Sequence, residues 1–147
     1  MPTDYTITSD PQRLDLVAIH SFLSNAYWST GVPMAIVRKA VANSVAFGVF
    51  LGDQQVGFAR VVTDKATFAY LADVFIMEAH RGKGLSKRLL REIERHEDLQ
   101  GLRRFLLATR DAHGLYAQFG FKALANPSRM MEKWNPDIYQ PLPEGVQ

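Results

Sequence analysis

The densest chemical signal in the chain is the run Glu78-Ala79-His80-Arg81-Gly82-Lys83-Gly84-Leu85-Ser86, which joins an apolar strand-type segment to an amphipathic helical one. A strand that ends in a glycine-rich turn and opens a helix builds an anion site. The first helical N–H groups lack intrahelical acceptors, the helix dipole places partial positive charge there, and glycine lets backbone approach an oxyanion without a Cβ. Arg81 and Lys83 add full charge at the same place, with Lys87 and Arg88 one turn on. Two better-known phosphate motifs do not fit. A P-loop needs Gly-Lys followed by Ser or Thr, and Gly84 follows Lys83 here. A dinucleotide fingerprint needs a third glycine where Lys87 stands. On these residues alone the turn is either a phosphate site or a solvated basic connection.

Arg81-Gly82-Lys83-Gly84-Leu85-Ser86 resembles the Arg/Gln-x-x-Gly-x-Gly/Ala signature of the GNAT superfamily of N-acetyltransferases. Arg81 and Gly84 match, whereas Ser86 takes the place of the usual Gly or Ala. Downstream, Thr109-Arg110-Asp111-Ala112-His113-Gly114-Leu115-Tyr116-Ala117-Gln118-Phe119-Gly120-Phe121 is similar to the second signature, Asn-x-x-Ala-x-x-Leu-Tyr-x-x-x-Gly-Phe. Ala112, Leu115, Tyr116, Gly120 and Phe121 match at the right spacing, and Thr109 replaces the asparagine. The resemblance implies acetyl-CoA as cosubstrate, with its pyrophosphate on Arg81, Gly82, Lys83, Gly84, Leu85 and Ser86. It also implies that Val74, Phe75 and Ile76 lie on the strand whose backbone pairs with the pantetheine arm, and that Thr109 contacts the same ligand. Tyr116 then corresponds to the general acid. A phenol with a normal pKa near 10 can hydrogen-bond a thioester sulfur and protonate the thiolate as it departs. The backbone N–H groups near Val74 to Ile76 would polarise the thioester carbonyl.

The acceptor amine must lose a proton before it attacks, which draws attention to Asp73. It is a carboxylate inside Tyr70-Leu71-Ala72-Asp73-Val74-Phe75-Ile76, a segment otherwise apolar on both faces. An unpaired buried carboxylate is costly, so Asp73 needs a partner or a raised pKa. It reads equally well as a base acting through water, as an anchor for the substrate ammonium, or as the salt-bridge partner of Arg60 on a neighbouring strand. Tyr27, Trp28 and Ser29, followed by Thr30, occupy a loop between two helical segments that in this family helps to wall the acceptor pocket. The histidines at 20, 80, 96 and 113 show no metal-ligand spacing, and no metal is expected. Cysteine is absent, which excludes thiolate nucleophiles, thiolate metal sites and disulfides. No Gly-x-Ser-x-Gly element supports a serine nucleophile.

The elements that must position these groups follow from periodicity. Thr6 and its neighbours alternate as a short strand. Asp10 and Pro11 open a first helix carrying Leu14, Val17, Ala18, Phe22 and Leu23, ending near Asn25. Ile36, Val37, Ala40 and Val41 mark a second helix. Strands are expected over 45–51, 55–62 and 67–77, the first two forming a hairpin across Gly52-Asp53. Leu85, Leu89, Leu90 and Ile93 form a helical stripe. A buried-type strand over 104–108, a short helix over 112–119 and a last strand over 128–134 complete the body.

The order is α+β around one mixed sheet flanked by helices, a single-domain GNAT-like fold over 1–135 with 136–147 as a C-terminal tail. The 147 residues are 47% hydrophobic and 22% charged with a formal charge of +2, a globular balance too weakly basic to imply nucleic acid. The beginning of the chain lacks signal-peptide character, and no apolar run reaches the roughly 18 residues that span a membrane. Cytoplasm is therefore the expected compartment. The expected partner is a small-molecule or peptide amine, with neither nucleic acid nor membrane, and a homodimer is compatible with the chain. A non-catalytic acyl-CoA sensor on the same fold is the rival reading.

Overall fold

The computed structural model describes residues 4–140. Met1–Thr3 and the 141–147 part of the expected tail lie outside the described residues. Five strands form one sheet in the order β1-β2-β3-β4-β5: Tyr5–Thr8, Val45–Leu51, Gln54–Thr63, Phe68–Ile76 and Arg104–Leu107. The first four pair antiparallel, and β4 pairs parallel with β5. A parallel pair needs a crossover, and here it is the helix α3, which follows the two short helices α1 and α2. Their ranges are Leu16–Leu23 for α1, Met34–Ala42 for α2 and Leu85–Arg95 for α3, with the five-residue α4 at His113–Ala117 after β5.

Both faces of the sheet are covered, which is why β2 reads as an unbroken apolar run and is buried from Val45 to Phe50. On one face α3 sets Leu85, Leu89, Leu90 and Ile93 against Phe47, Val49, Val61 and Leu71. On the other, Ile19 and Leu23 of α1 and Val37 and Val41 of α2 pack on Ala46, Phe58 and Phe75. The two clusters are the inward faces of a 3.6-residue stripe and a two-residue alternation meeting across the pleat.

Two departures from periodicity matter. The expected first helix is divided into a 3-10 turn at Pro11–Arg13 and α1, because Asp15 caps α1 by accepting from the Ala18 N–H at 3.1 Å. The Asp15 N–H in turn donates to Oε1 of buried Gln55 at 2.7 Å. A chain held at both groups cannot continue the earlier turn as helix. The expected last strand over 128–134 does not form within the chain. Pro127–Arg129 is a 3-10 turn, Met130 after it is extended, and none of 130–135 has a ladder partner among the described residues.

The feature that shapes the functional region is a bulge in β4. Phe58 faces Phe75 and Arg60 faces Ala72, so Ala59 opposes both Asp73 and Val74. Asp73 absorbs the extra residue at φ +55°, the left-handed region where Asp and Asn are the least strained non-glycine residues. Pairing with β5 stops at Leu71–Leu107, while β4 continues to Ile76. The bulge thus coincides with the point where the parallel pair separates.

Candidate active site

The separated strands open a cleft of about 580 Å³. Its walls include Leu71 and Val74 from β4, Thr109 and Ala112 from the segment after β5, and Tyr116 from α4. Tyr116 is 9% exposed, and burial pushes its phenol pKa up. Among the described residues its hydroxyl has no hydrogen-bond partner. An edge-to-face contact with Phe121, ring centroids 6.0 Å apart, fixes the ring. The phenol is therefore neutral at physiological pH, positioned by packing, and free to donate into the cleft. Thr109 Oγ1 accepts from the Ala112 N–H at 3.0 Å, ordering the turn into α4 while still lining the cleft.

At the far end of β4 the chain makes a 3-10 turn over Glu78–His80 and enters α3 through the expected glycine turn. Gly82 and Gly84 have φ +77° and +74°, and a Cβ at either would meet nothing within 4 Å. Glycine is required there for conformation, and the space beside it is open to a ligand. Gly84 is the N-cap of α3 and no side chain caps the helix, so its first N–H groups stay available. Residues 81–84 are exposed, Leu85 anchors the turn in the core, and Ser86 is half-buried. Arg81 Nε donates to the Ile76 carbonyl at 2.8 Å, tying the turn to the strand end. A 2.7 Å bond between the Tyr5 hydroxyl and His80 Nδ1 ties it to β1. Arg88 turns elsewhere, donating to the Tyr5 carbonyl at 3.0 Å.

Of the β4 residues named from sequence, Val74 faces the cleft. Phe75 and Ile76 bury their side chains in the two core clusters, Phe75 stacked on Phe22 at 3.8 Å. Whatever these two contribute at the cleft is contributed by backbone. Past Leu71 that backbone has no strand on its β5 side.

The opposite wall is built around Asp73. Its Oδ2 accepts from Arg60 Nε at 2.9 Å, and its Oδ1 accepts from Trp28 Nε1 at 2.9 Å. The Arg60 salt bridge, one of three readings the sequence left open, is therefore present, and the second oxygen is engaged as well. Trp28 meets Tyr27 edge to face at 5.1 Å, and the Arg110 guanidinium lies 3.8 Å over the Tyr27 ring. The wall is thus one connected chain, Arg60–Asp73–Trp28–Tyr27–Arg110. Ser29 is not brought to this wall. Its hydroxyl donates to the Leu23 carbonyl at 2.7 Å, and it lines a separate pocket of about 190 Å³ behind Trp28. Tyr70, Arg110 and Asp111 border the cleft without having been singled out from sequence. For Arg110 and Asp111 a signal existed, because ligands bind beyond the carboxyl ends of parallel strands.

A mixed sheet whose parallel pair splays at a β4 bulge, with a glycine turn feeding α3 from the splayed strand, is the GNAT fold. The Acetyltransferase (GNAT) domain model matches residues 42–123. A “Putative acetyltransferase” of Gibberella zeae is 31% identical over 138 residues, covering 78% of this chain and 77% of its own. A crystal structure from Xanthomonas campestris, a “putative acetyltransferase belonging to the GNAT family”, matches with a TM-score of 0.93 at 47% identity, over 96% of this chain and 99% of that one. A second, from Deinococcus radiodurans, shares the fold at TM-score 0.74 and 17% identity over 96% and 95% of the two chains. The chain belongs to the GNAT family of acetyltransferases.

Proposed function

We propose that the chain is an acetyl-CoA-dependent N-acetyltransferase that transfers the acetyl group directly to an amine in a ternary complex. The observation that carries this reading is Tyr116, a buried phenol whose hydroxyl has no partner among the described residues, on the wall of a cleft beside the open edge of β4, the strand that leads to a glycine turn at a helix start. The residues present fit the cosubstrate. Gly82 to Ser86 offer uncapped N–H groups, positive charge and open space for a pyrophosphate, and Ala72 to Ile76 offer a strand edge for an amide-bearing arm. Bound there, the cosubstrate would supply an acetyl thioester to the cleft that Tyr116 lines. The neutral amine attacks the thioester carbon, the C–N bond forms as the C–S bond breaks, Tyr116 delivers a proton to the departing sulfur, and the proton released by the nitrogen passes to bulk water, from which the phenol is restored. With both oxygens engaged, Asp73 serves as a positioning residue for Trp28 and Arg60 rather than as the base.

Release of CoA thiol in the presence of a panel of amines, amino acids and peptides tests the proposal. Turnover with at least one acceptor class supports it. Stoichiometric acetyl-CoA binding without transfer to any member would favour the non-catalytic sensor instead.

Two variants probe the two halves of the site. Gly84→Ala places a Cβ at φ +74°, a strain of about 1 to 2 kcal/mol. It is expected to raise the KM for acetyl-CoA several-fold while kcat changes less than twofold, as initial-rate kinetics will show. Arg110→Ala removes the cation that orders Tyr27. It is expected to raise the acceptor KM by about three- to tenfold, a differential of roughly 1 kcal/mol, with the acetyl-CoA KM unchanged. A change confined to the acetyl-CoA KM would move Arg110 to the cosubstrate side.

A further inference from the structure

Behind Trp28 lies a second cavity, which the transfer chemistry does not use. It holds about 190 Å³ and is lined by Leu23 of α1, Val32 of the following loop, and Ile36, Val37, Ala40 and Val41 of α2. The spacing on α2 gives two adjacent rows on one helix face. Val37 and Val41 form the inner row and are buried in the cluster that holds Phe58 and Phe75. Ile36 and Ala40 form the outer row. Ile36 stays 42% exposed and Ala40 ends at its Cβ, so this row leaves open a space that larger side chains would fill. Tyr139 completes the lining. Its approach depends on Gly31, where a Cβ would stand 3.0 Å from the Tyr139 carbonyl oxygen.

The polar groups around this cavity are already engaged within the protein. Ser29 Oγ donates to the Leu23 carbonyl, and Trp28 Nε1 donates to Asp73 Oδ1. Arg60 donates from Nε to Asp73 Oδ2 and from Nη1 to Ser44 Oγ. What remains on offer is apolar surface. An apolar cavity of about 150 Å³ accepts a benzene ring, so this one has room for a phenyl ring or a branched alkyl group of about six carbons. Trp28, Arg60 and Asp73 line both the cavity and the 580 Å³ cleft, and so form the partition between them. Asp73 is followed directly by Val74, which lines the cleft together with Tyr116. The indole is the member of the partition that can turn aside. It is 43% exposed, and its single donor is spent on one bond, to Asp73.

We infer that this cavity is the specificity pocket of the acceptor site, and that the acceptor is a primary amine carrying a compact apolar group, phenyl or branched alkyl, on a short chain. The placing of the nitrogen rests on the acetyl-transfer reading, whereas the affinity of the cavity for the apolar group does not. The amine stays in the cleft beside the partition, the indole turns aside, and the apolar group enters between α1 and α2. An amine without such a group leaves the cavity unfilled and forfeits about fourfold in affinity for each methylene not buried. An acceptor charged at its far end would set that charge against the valines of α2 and is rejected.

Initial rates of CoA release with ethylamine, 3-methylbutylamine, 2-phenylethylamine and 1,4-diaminobutane read the preference. The kcat/KM for 2-phenylethylamine is expected to exceed that for ethylamine at least a hundredfold, with 3-methylbutylamine between them and diaminobutane no better than ethylamine. Ala40→Leu fills part of the cavity from α2 and should cut the phenylethylamine-to-ethylamine ratio at least tenfold. Ile36→Phe fills it from an exposed position and serves the same purpose should the first variant fail to fold. Binding without turnover separates the pocket from the acetyl-transfer reading. In a Trp134→Phe background Trp28 is the only tryptophan. Its fluorescence should respond to 2-phenylethylamine at a concentration at least tenfold lower than to ethylamine, a preference lost in Ala40→Leu. That pattern without any CoA release keeps the pocket and removes the transfer. CoA release indifferent to apolar size keeps the transfer and overturns the pocket. An equal fluorescence response to the two amines, or a preference that neither filling substitution moves, overturns the pocket whether or not turnover occurs.

Discussion

Tyr116→Phe is expected to lower kcat by one to three orders of magnitude while leaving acetyl-CoA affinity within about twofold. The ring is held by burial and by its edge-to-face contact with Phe121, neither of which needs the hydroxyl. Among the described residues the hydroxyl donates to nothing, so its removal leaves no orphaned acceptor and the fold should persist with an unchanged melting temperature. The loss falls on the step in which charge develops on the departing sulfur, which is seen in kcat and in kcat/KM together. The pH dependence gives a second readout. Burial raises the phenol pKa above its ordinary value, so the donating form persists beyond pH 10 and any basic limb from Tyr116 lies there. A basic limb well below pH 10 must arise elsewhere and should survive in Tyr116→Phe. The same shift has a stability consequence. Because the folded pKa is the higher one, the contribution of the neutral phenol is complete below the unfolded value near 10 and declines as pH rises above it. Undiminished turnover by the phenylalanine variant would remove Tyr116 from the chemistry.

What the sequence made legible follows the range over which each feature is encoded. The glycine turn is local: Gly82 and Gly84 adopt the positive φ that their identities permit, and the helix after them carries its core stripe at Leu85, Leu89, Leu90 and Ile93 as the spacing indicates. Strands β2 to β5 were readable because each is an apolar run bounded by turn residues. The division of the first helix was not. It depends on Gln55, forty positions away, whose carboxamide takes the Asp15 N–H. The acceptor-side wall is also long-range. Trp28 and Asp73 are each conspicuous in sequence, but nothing periodic says that an indole N–H meets a carboxylate across 45 residues. Arg110 went unnoticed because its partner is the face of Tyr27, a contact without complementary charge to suggest it. The last strand failed for a different reason. Its residue pattern is that of a strand, yet among the described residues the segment pairs with no other strand.

Substitutions at Asp73 should separate conformation from charge more cleanly than at any other position in the site. Its carboxylate joins Arg60 to Trp28, and the pair with Arg60 is largely withdrawn from solvent, the side chains being 13% and 19% exposed. Asp73→Ala removes both contacts, leaves the Arg60 guanidinium without a counter-charge and with only its 3.2 Å bond to Ser44 Oγ, and puts a β-carbon residue without a local hydrogen bond at φ +55°. Breaking a buried pair costs about 3 to 5 kcal/mol, reduced here to about 2 to 3 by residual exposure, and the left-handed conformation adds about 1. For a chain of this size that corresponds to a melting temperature lower by roughly 6 to 15 °C. Asp73→Gly restores backbone freedom and should recover about 1 kcal/mol of the loss. Asp73→Asn tolerates the same φ and can still accept from Trp28, so it should be the mildest of the three. If instead glycine and alanine melt together below asparagine, the bulge is not strained and the carboxylate accounts for the whole effect. The kinetics of the asparagine variant decide the chemical role. A positioning residue predicts an acceptor KM raised several-fold, kcat within about tenfold of wild type, and an unchanged acidic limb in the pH profile. A general base predicts a collapse of kcat and the loss of that limb. The geometry favours the first outcome, because an oxygen that already accepts from Trp28 and another that already accepts from Arg60 leave Asp73 little reason to take the proton of an amine.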